Sequence, residues 1–402
     1  MNAPETVVRS RRPGIVRMVL AGLALAAGLA PWWSAREEGW RAFPGFDVAP
    51  AVEDVVDELP IFETIEINPG SPEAKAHSAT LARMPDGRLV AAWYAGSGEG
   101  HTDVGIFTSV RDPRGAWSEP RRILSREMMF GSLGRYALSL GNPLLLPGEG
   151  GKLGLLFVSI AAGRWSGSSL NLAWSEDGGE TWGPVEKLTT NPLFNLAALP
   201  RNPPARLDGG GWAVPVYEEL VGNFPEILWL LPRNGGFSAA VSRMAGGLEV
   251  MQPALVPLSV QDAAAFYRDV TKTRRMFMAR SEDSGRAWSR PEPTELPNFH
   301  SGVCVVRLPD GRLLCAFNDT TKRVRENLRL AISGDEGRTW RRIATLAEEK
   351  EQEFSYPYML VGDDGWVRMV YSSRKNRICY VEFNSEWLNS MADAAQRKGE
   401  VP

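Results

Sequence analysis

An eight-residue motif recurs along this 402-residue chain and constrains the fold more than any other feature. In the pattern S-x-D-x-G-x-T-W, aspartate accepts hydrogen bonds from the turn backbone and glycine adopts a positive φ, while tryptophan packs beneath the turn. The pattern therefore predicts a tight hairpin between two strands. It occurs at residues 175–182, 281–288 and 333–340, with a looser copy at 109–117.

A second repeat runs in step with the first, and consists of a turn followed by an apolar or alternating strand. Its copies are residues 84–94, 146–158, 206–217, 256–268, 308–318 and 361–371. They lie roughly 50 to 65 residues apart, which is the spacing of four-stranded blades. Six units predict an all-β, six-bladed β-propeller. The interval between Trp182 and Trp288 holds no S-x-D-x-G-x-T-W motif, and residues 228–237 lie where that copy belongs.

Composition agrees with many short strands and excludes several functions. The 40 glycines and 29 prolines suit a chain rich in turns, and a helical period occurs only near the N-terminus and at residues 386–396. A net charge of −3 with scattered basic residues argues against nucleic-acid binding. The three cysteines lie in apolar strands, which predicts buried thiols with one disulfide possible, and the histidines are dispersed. We expect no metal and no cofactor. The cysteines are Cys304, Cys315 and Cys379, and the histidines are His77, His101 and His300.

The N-terminus predicts export. Arginines precede a 16-residue apolar run at residues 18–33, which is typical of a signal peptide. Trp32, Trp33 and Trp40 also suit an interfacial belt, so an uncleaved membrane anchor stays open. The anchored form would lie at the periplasmic face of the inner membrane, and a cleaved form would be periplasmic or secreted.

The domain boundaries follow from these patterns. We expect a signal peptide or anchor over 1–36, a linker over 37–62, the propeller over 63–388 and a tail over 389–402. The alternating segment 63–69 is predicted to be a strand that closes the ring with the last blade.

Polar residues beside turn formers precede the first strand of each blade and are expected to face one pore. They are His77, Asn142, Arg201 with Asn202, Gln252, His300 with Ser301, and Tyr356. An alternative role for Asn142, Asn202 and Ser301 is to tie neighbouring blades together through backbone hydrogen bonds.

From about residue 69 to 383 the chain resembles the "predicted neuraminidase" group of BNR-repeat proteins in the sialidase superfamily. The S-x-D-x-G-x-T-W motif resembles that superfamily's Asp-box. Arg268 in F-Y-R-D, followed by Arg275, and Arg325 in R-E-N-L resemble two of the three arginines that bind a sugar carboxylate. Tyr356 in F-S-Y-P-Y resembles the nucleophilic tyrosine. The resemblance implies an acidic-sugar substrate.

Two departures from the family pattern are visible. No arginine occurs between Arg41 and Arg83, where the first arginine of the clamp belongs, and Lys75 and His77 lie there instead. Gln252 occupies the position of the glutamate that assists the tyrosine, and a neutral amide cannot act as a base. The carboxylates left for proton transfer are Asp103, Glu218, Glu219 and Glu353.

Two classes of function fit these residues. The first is an exported sialidase-like glycoside hydrolase that acts on a terminal acidic sugar of a glycan or exopolysaccharide, with Tyr356 as nucleophile and Asp103, Glu218 or His77 in proton transfer. The second is a uronate-directed polysaccharide lyase that uses His77 or Tyr356, or a propeller that only binds carbohydrate. The expected partners are carbohydrate and, through the N-terminus, a membrane; we expect a monomer.

Overall fold

The computed structural model describes residues 44–397 apart from 53–58, 69–73, 135, 162–163, 191–197, 220–221, 234–235 and 245–248, together with 18–19, 22 and 399. The predicted apolar segment 18–33 lies almost wholly outside these residues, so export and membrane attachment stay predictions. Within the part of the chain that is described, no helix is both long enough and apolar enough to cross a membrane.

Six antiparallel sheets form the blades of a propeller, which confirms the predicted fold. In blades 1, 2, 4 and 5 the strands follow one another in chain order from the axis outward, whereas blade 3 divides its first strand and blade 6 takes its outermost strand from the start of the chain. Blades 1 and 2 consist of β2 (Lys75–Arg83), β3 (Leu89–Gly96), β4 (Gly105–Arg111) and β5 (Arg121–Leu124), then β6 (Ser139–Pro147), β7 (Leu153–Ile160), β8 (Ser168–Ser175) and β9 (Glu186–Lys187). Blade 3 consists of β10 (Ala198–Pro200) and β11 (Ala205–Arg206), which both pair with β12 (Trp212–Glu218), followed by β13 (Phe224–Arg233) and β14 (Gly236–Arg243).

Blades 4 to 6 repeat the pattern. They consist of β15 (Val250–Pro257), β16 (Ala263–Asp269), β17 (Arg275–Ser281) and β18 (Glu292–Pro297), then β19 (Cys304–Arg307), β20 (Leu313–Phe317), β21 (Asn327–Ser333) and β22 (Arg341–Glu348), then β23 (Phe354–Val361), β24 (Val367–Ser373) and β25 (Arg377–Phe383).

The ring is closed by the first strand of the chain. Strand β1 (Phe62–Asn68) is the outermost strand of blade 6 and pairs antiparallel with β25, so that Phe62 lies opposite Phe383. The sequence predicted this closure from the alternation of residues 63–69. Because β1 precedes blade 1 and completes blade 6, the first and last parts of the propeller are held together by backbone hydrogen bonds.

Two α-helices accompany the sheets among the described residues. Helix α1 (Arg126–Leu133) is capped by the Ser125 hydroxyl and ends at Gly134, whose φ is 62°. Helix α2 (Ser385–Arg397) coincides with the helical period seen in the sequence. Its buried residues pack on the apolar core of blades 5 and 6, so the end of the chain covers that core. Two short 3₁₀ turns lie at Glu149–Gly151 and Arg164–Gly167.

The core lies between the blades, where apolar residues of neighbouring inner strands interlock. Cys304, Cys315 and Cys379 are buried there as free thiols, so the disulfide that the sequence left open does not form. Burial raises the pKa of the Cys304 thiol to about 12, which keeps it protonated. No group of residues that could hold a metal occurs in the described parts of the chain.

The repeated motif forms the outer turns as predicted. In the copy at 333–340, Asp335 accepts hydrogen bonds from the Thr339 backbone and hydroxyl at 2.8 and 2.7 Å, and from the Ser333 hydroxyl at 2.8 Å. The Trp340 ring is only 1 % exposed, and its indole nitrogen donates to the Gly337 carbonyl. The same bonds hold Asp177 in blade 2.

The copies differ in how deeply the tryptophan packs. Trp182 and Trp288 remain partly exposed, whereas we expected all three rings to be packed alike beneath their turns. In blade 3 the β13–β14 hairpin takes the position of the missing motif, as the sequence predicted.

Candidate active site

Five blades place a non-glycine residue with positive φ at the same end of their innermost strand. Such a φ is uncommon and strained for residues with a side chain, and it persists only where the surrounding structure imposes it. In four of these strands a β-bulge produces the conformation. The residues are Ser78 (φ 56°), Asn142 (43°), Gln252 (52°), His300 (53°) and Tyr356 (56°).

All five residues line one cavity of about 590 Å³ on the propeller axis, which we call the central cavity. An adjoining cavity of about 420 Å³, the annex, shares Glu99 and Tyr356 with it. Other side chains of the central cavity are Tyr94, Trp165, Arg201, Tyr217, Glu219, Asn223, Met251 and Arg268. The annex is lined further by Lys75, His77, Ser97, Arg325, Glu353 and Lys375. The predicted pore is therefore a pocket large enough for a sugar ring and its neighbours.

Tyr356 lies where the two cavities meet. The guanidinium carbons of Arg201 and Arg325 lie 5.0 and 5.3 Å from the centre of its ring, and the His77 ring meets it edge-on at 6.1 Å. Cations at these distances are attracted to the face of an aromatic ring. The phenol is thus held among basic residues from three other blades.

Arg201 and Arg268 are buried charges without acidic partners. They are 3 % and 6 % exposed, and no carboxylate of the described residues forms an ion pair with either. One Arg201 nitrogen donates to the Pro357 carbonyl at 3.2 Å, while Nε and Nη1 have no acceptor in the described structure. One Arg268 nitrogen donates to Gln252 at 2.9 Å, and Nε has none. Burial lowers the pKa of both groups, but arginine stays charged at neutral pH.

Arg325 differs from these two because it has an acidic partner. Its Nη1 lies 3.0 Å from Glu353, and its Nη2 donates to the His300 carbonyl at 3.2 Å. Burial acts to lower its pKa, but Tyr356 and Glu353 outweigh burial and raise it. Lys375 approaches the other Glu353 oxygen at 3.3 Å. Arg325 therefore has a direct acidic partner, whereas Arg201 and Arg268 have none within ion-pair distance among the described residues.

Gln252 is fixed by hydrogen bonds at both ends of its amide group. Its amide oxygen accepts from Arg268, and its nitrogen donates to the Tyr217 hydroxyl at 3.1 Å. Burial raises the pKa of Tyr217 above its ordinary range, so this phenol stays protonated. Neither residue can remove a proton from Tyr356 at neutral pH.

Two carboxylates lie in the central cavity. Glu219 is half-buried, its pKa is raised by burial, and its carbonyl is held by the Ser166 hydroxyl at 3.1 Å. Glu99 is exposed and accepts a hydrogen bond of 2.6 Å from the Trp165 indole. A carboxyl group with a raised pKa suits a general acid, and an exposed one suits a base.

Both histidines near Tyr356 are neutral. Burial lowers the pKa of His77 to about 4, and burial with the charge of Arg268 lowers that of His300 to about 4. The Nδ1 atom of His77 is buried and has no partner among the described residues. A neutral imidazole beside the phenol can accept a proton.

The structure brings His77, Arg268, Arg325 and Tyr356 together, as the sequence predicted. Five other predicted residues line neither cavity: Asn202 and Ser301, which are described below, and Asp103, Glu218 and Arg275. Asp103 accepts two hydrogen bonds from Ser97 and fixes the β3–β4 loop; Glu218 lies 3.6 Å from Arg243; Arg275 is exposed and donates to the Glu295 carbonyl. Side chains alternate along a strand, so Glu219 rather than its neighbour Glu218 reaches the cavity.

The predicted amide residues divide between two roles. Asn142 lines the central cavity and also donates to the Pro200 carbonyl at 3.2 Å. Asn202 is buried and donates to the Gln252 and Pro253 carbonyls, so it ties blade 3 to blade 4. The Ser301 hydroxyl bonds within its own loop. The blade-tying alternative therefore describes Asn202, and it also holds for Asn142, which ties blade 2 to blade 3 while lining the cavity.

The sequence placed Arg201 among the residues that face the pore, but it did not show that Arg201 is a buried charge without an acidic partner. Arg201 precedes Asn202-Pro203 as Gly141 precedes Asn142-Pro143, so the repeat itself marked the position. The sequence analysis also missed Glu99 and Trp165, which lie in loops that no repeat aligns, and Tyr217, which ends the repeat copy at 206–217 as Tyr94 ends the copy at 84–94.

The blade repeat and the cavity on the axis define the class of this protein, which is a sialidase-like six-bladed propeller. Residues 87–369 match the BNR repeat-like domain, and the chain belongs to that family. No curated protein sequence matches the chain.

Solved structures with the same fold include enzymes that act on sugars. The Hadza microbial sialidase Hz136 is 16 % identical with a TM-score of 0.64, over 79 % of this chain and 67 % of that one. The NanB sialidase from Streptococcus pneumoniae is 11 % identical with a TM-score of 0.62, over 80 % and 70 %. Penicillium chrysogenum α-L-arabinanase is 16 % identical with a TM-score of 0.60, over 81 % and 99 %. At this identity the likeness concerns the fold alone.

Proposed function

We propose that the protein is a glycoside hydrolase that removes a terminal acidic sugar from a glycan or exopolysaccharide. One observation carries the proposal: Arg201 and Arg268 are buried in the central cavity, and neither forms an ion pair with a carboxylate of the described residues. A buried charge costs several kcal/mol unless it is paired. A carboxylate of the substrate would supply the missing partner.

The geometry of arginine narrows the ligand to a carboxylate. A guanidinium group presents parallel N–H donors that match the two oxygens of a carboxylate. Both arginines retain donors without acceptors in the described structure, namely Nε and Nη1 of Arg201 and Nε of Arg268. Arg325 contributes from the annex side, where its charge is already partly balanced by Glu353. Arg201 of blade 3 thereby replaces the clamp arginine that the sequence lacks in blade 1.

Tyr356 is the nucleophile in this proposal. Its phenol oxygen bonds to the anomeric carbon as the glycosidic C–O bond breaks, and its proton passes to neutral His77. The leaving oxygen takes a proton from Glu219. Water then attacks the anomeric carbon and loses a proton to the Glu219 carboxylate, and the phenolate takes its proton back from His77. Glu99 and Trp165 form the wall beside the leaving group.

A uronate lyase is the second candidate, and the neutral Gln252 favours it. Without a carboxylate beside Tyr356, the tyrosine and His77 can serve instead as acid and base in a β-elimination. The same arginines would neutralise the uronate carboxylate and so acidify the adjacent C–H. The product would then carry a double bond that absorbs ultraviolet light.

A panel of glycans with terminal acidic sugars tests both candidates. We expect release of a free acidic sugar by the wild-type protein, and a loss of affinity of about 2 to 4 kcal/mol in Arg268→Ala. Arg275→Ala is the matched control, because this exposed arginine lies on β17 outside the cavities. Unsaturated products would replace the hydrolase by the lyase. Binding that does not respond to the charge of the sugar would refute both.

The export predicted from the N-terminus accords with a glycan substrate outside the cytoplasm. We therefore propose that the propeller acts on the periplasmic or outer side of the membrane. Cell fractionation tests this, and a soluble cytoplasmic pool of the protein would contradict it.

A further inference from the structure

A further cavity, of about 640 Å³, opens between blades 2 and 3 and is lined by three aromatic rings. We call it the aromatic groove and define it by Trp174, Trp212 and Phe237. We propose that the aromatic groove binds an uncharged stretch of a polysaccharide. This proposal goes beyond the hydrolysis assigned to the central cavity and does not depend on it.

The three rings form a continuous apolar surface. Phe237 stacks on Trp174 at 5.3 Å with 17° between the ring planes, and Trp212 contacts both rings at 5.2 and 5.9 Å. Trp212 is buried beneath, while Phe237 is 36 % exposed. Pyranose rings present flat C–H faces that cover aromatic rings well, because both surfaces leave water on contact.

Glycines let the Trp174 ring and the blade 3 turn pack closely at the edges of the groove. The Trp174 ring lies over Gly148 and Gly154, where an added Cβ would come within 3.4 and 3.0 Å of it. On the blade 3 side, the turn before β12 consists of Gly209, Gly210 and Gly211. A surface of rings and bare backbone gives a long ligand access from the side.

The polar rim is balanced in charge and so selects an uncharged ligand. It contains two acidic and two basic residues. Lys152 pairs with Glu176 at 2.8 Å. Arg206 lies over the Trp212 ring at 5.0 Å and donates to the Pro147 carbonyl. Glu149 completes the rim. These side chains offer hydrogen bonds to hydroxyl groups but no excess charge for a polyanion.

The two sites lie at opposite ends of the same strands. Strand β6 runs from Asn142 at the central cavity to the turn at Gly148, and β12 runs from Trp212 at the groove toward Glu219. One bound sugar cannot occupy both sites. The groove would therefore hold the protein on a polysaccharide while the central cavity stays free for chain ends, which raises the local substrate concentration.

Affinity electrophoresis in gels that contain laminarin, galactomannan or arabinan tests the proposal directly. We expect at least one of these neutral polymers to retard the wild-type protein. Phe237→Ala and Trp174→Ala should weaken that binding about tenfold or more, because each removes stacking area. Phe130→Ala is the matched control, since Phe130 is an exposed aromatic on α1 outside the groove.

Of the two variants, Phe237→Ala is the one expected to stay folded, because the partly exposed ring of Phe237 contributes less to the stability of the protein than the ring of Trp174. Circular dichroism and release of acidic sugar should be unchanged in this variant, whereas retardation is lost. The proposal is overturned if no neutral polymer retards the wild-type protein, or if Phe237→Ala binds like wild type. It is equally overturned if the groove proves to be a contact between copies, seen as self-association that Phe237→Ala abolishes.

Discussion

The outer turns and the central cavity differ in how fully their buried and half-buried charged groups are hydrogen-bonded. In the outer turns each aspartate accepts every hydrogen bond that the loop offers, and the pKa of Asp335 is accordingly lowered although partial burial opposes this. In the central cavity Arg201 and Arg268 are more deeply buried and keep donors unused. Charges that serve the fold are satisfied within it, whereas charges that await a ligand are not. The difference identifies the site without reference to any relative.

The largest effect is expected at Tyr356. Tyr356→Phe removes only the hydroxyl, so turnover should fall about 10³-fold or more while ligand affinity and the free energy of unfolding change little. The measurement is kcat on the best glycan of the panel. Tyr358→Phe is the matched control, because this tyrosine lies two residues along β23, is fully buried and should leave kcat unchanged. Equal activity in the two variants would remove Tyr356 from the mechanism.

Substitutions in the outer turns should change the stability of the protein and leave its activity unchanged. Trp340→Ala should lower the free energy of unfolding by about 3 to 5 kcal/mol, as for other large buried aromatic rings. Trp182→Ala should cost less, since its ring is partly exposed. Urea denaturation measures both values, and the folded fraction of each variant should keep the wild-type kcat. A smaller loss for Trp340 than for Trp182 would show that burial does not set the strength of these turns.

The pH dependence of stability tests the neutral state of His77. Its folded-state pKa is about 4, below the value of about 6.5 expected in the unfolded chain. The unfolded state therefore binds the proton first, so stability is complete above pH 6.5 and falls as the pH drops toward 4, by up to about 3 kcal/mol. His77→Gln should flatten this slope, whereas His101→Gln, at an exposed loop position, should not. A slope unchanged in His77→Gln would place the titration elsewhere.

The fold was predictable because its signals repeat. Six copies of a turn and strand fixed the blade number, and alternation at residues 63–69 predicted the closing strand. The exposed fraction of each tryptophan side chain was not predictable, because it depends on how closely the neighbouring blade packs against the ring. Trp340 is covered by Phe266 of the preceding blade at 5.6 Å.

The site was predictable only where it coincides with the repeat. Tyr356, Gln252 and Asn142 each directly precede a proline at equivalent positions of their blades. The sequence analysis placed all three correctly among the residues that face the pore. Glu219 and Glu99 come from loops of different length, so no alignment of blades could mark them. The choice between Glu218 and Glu219 depends on which face of the chain turns inward after β12, and only the folded structure shows that.

The difference between a paired and an unpaired buried arginine can be measured as the change in stability and in ligand binding of one pair of variants. Arg111 is paired with buried Glu382 at 2.5 Å, whereas Arg201 has no acidic partner among the described residues. Without ligand, Arg201→Met should raise the free energy of unfolding by about 1 to 3 kcal/mol, because it removes an uncompensated buried charge, and it should abolish binding of acidic sugars. Arg111→Met should lower stability by a similar or larger amount and leave binding intact. If Arg201→Met destabilises the free protein as Arg111→Met does, and still binds acidic sugars, then Arg201 serves the fold and the proposed carboxylate clamp is wrong.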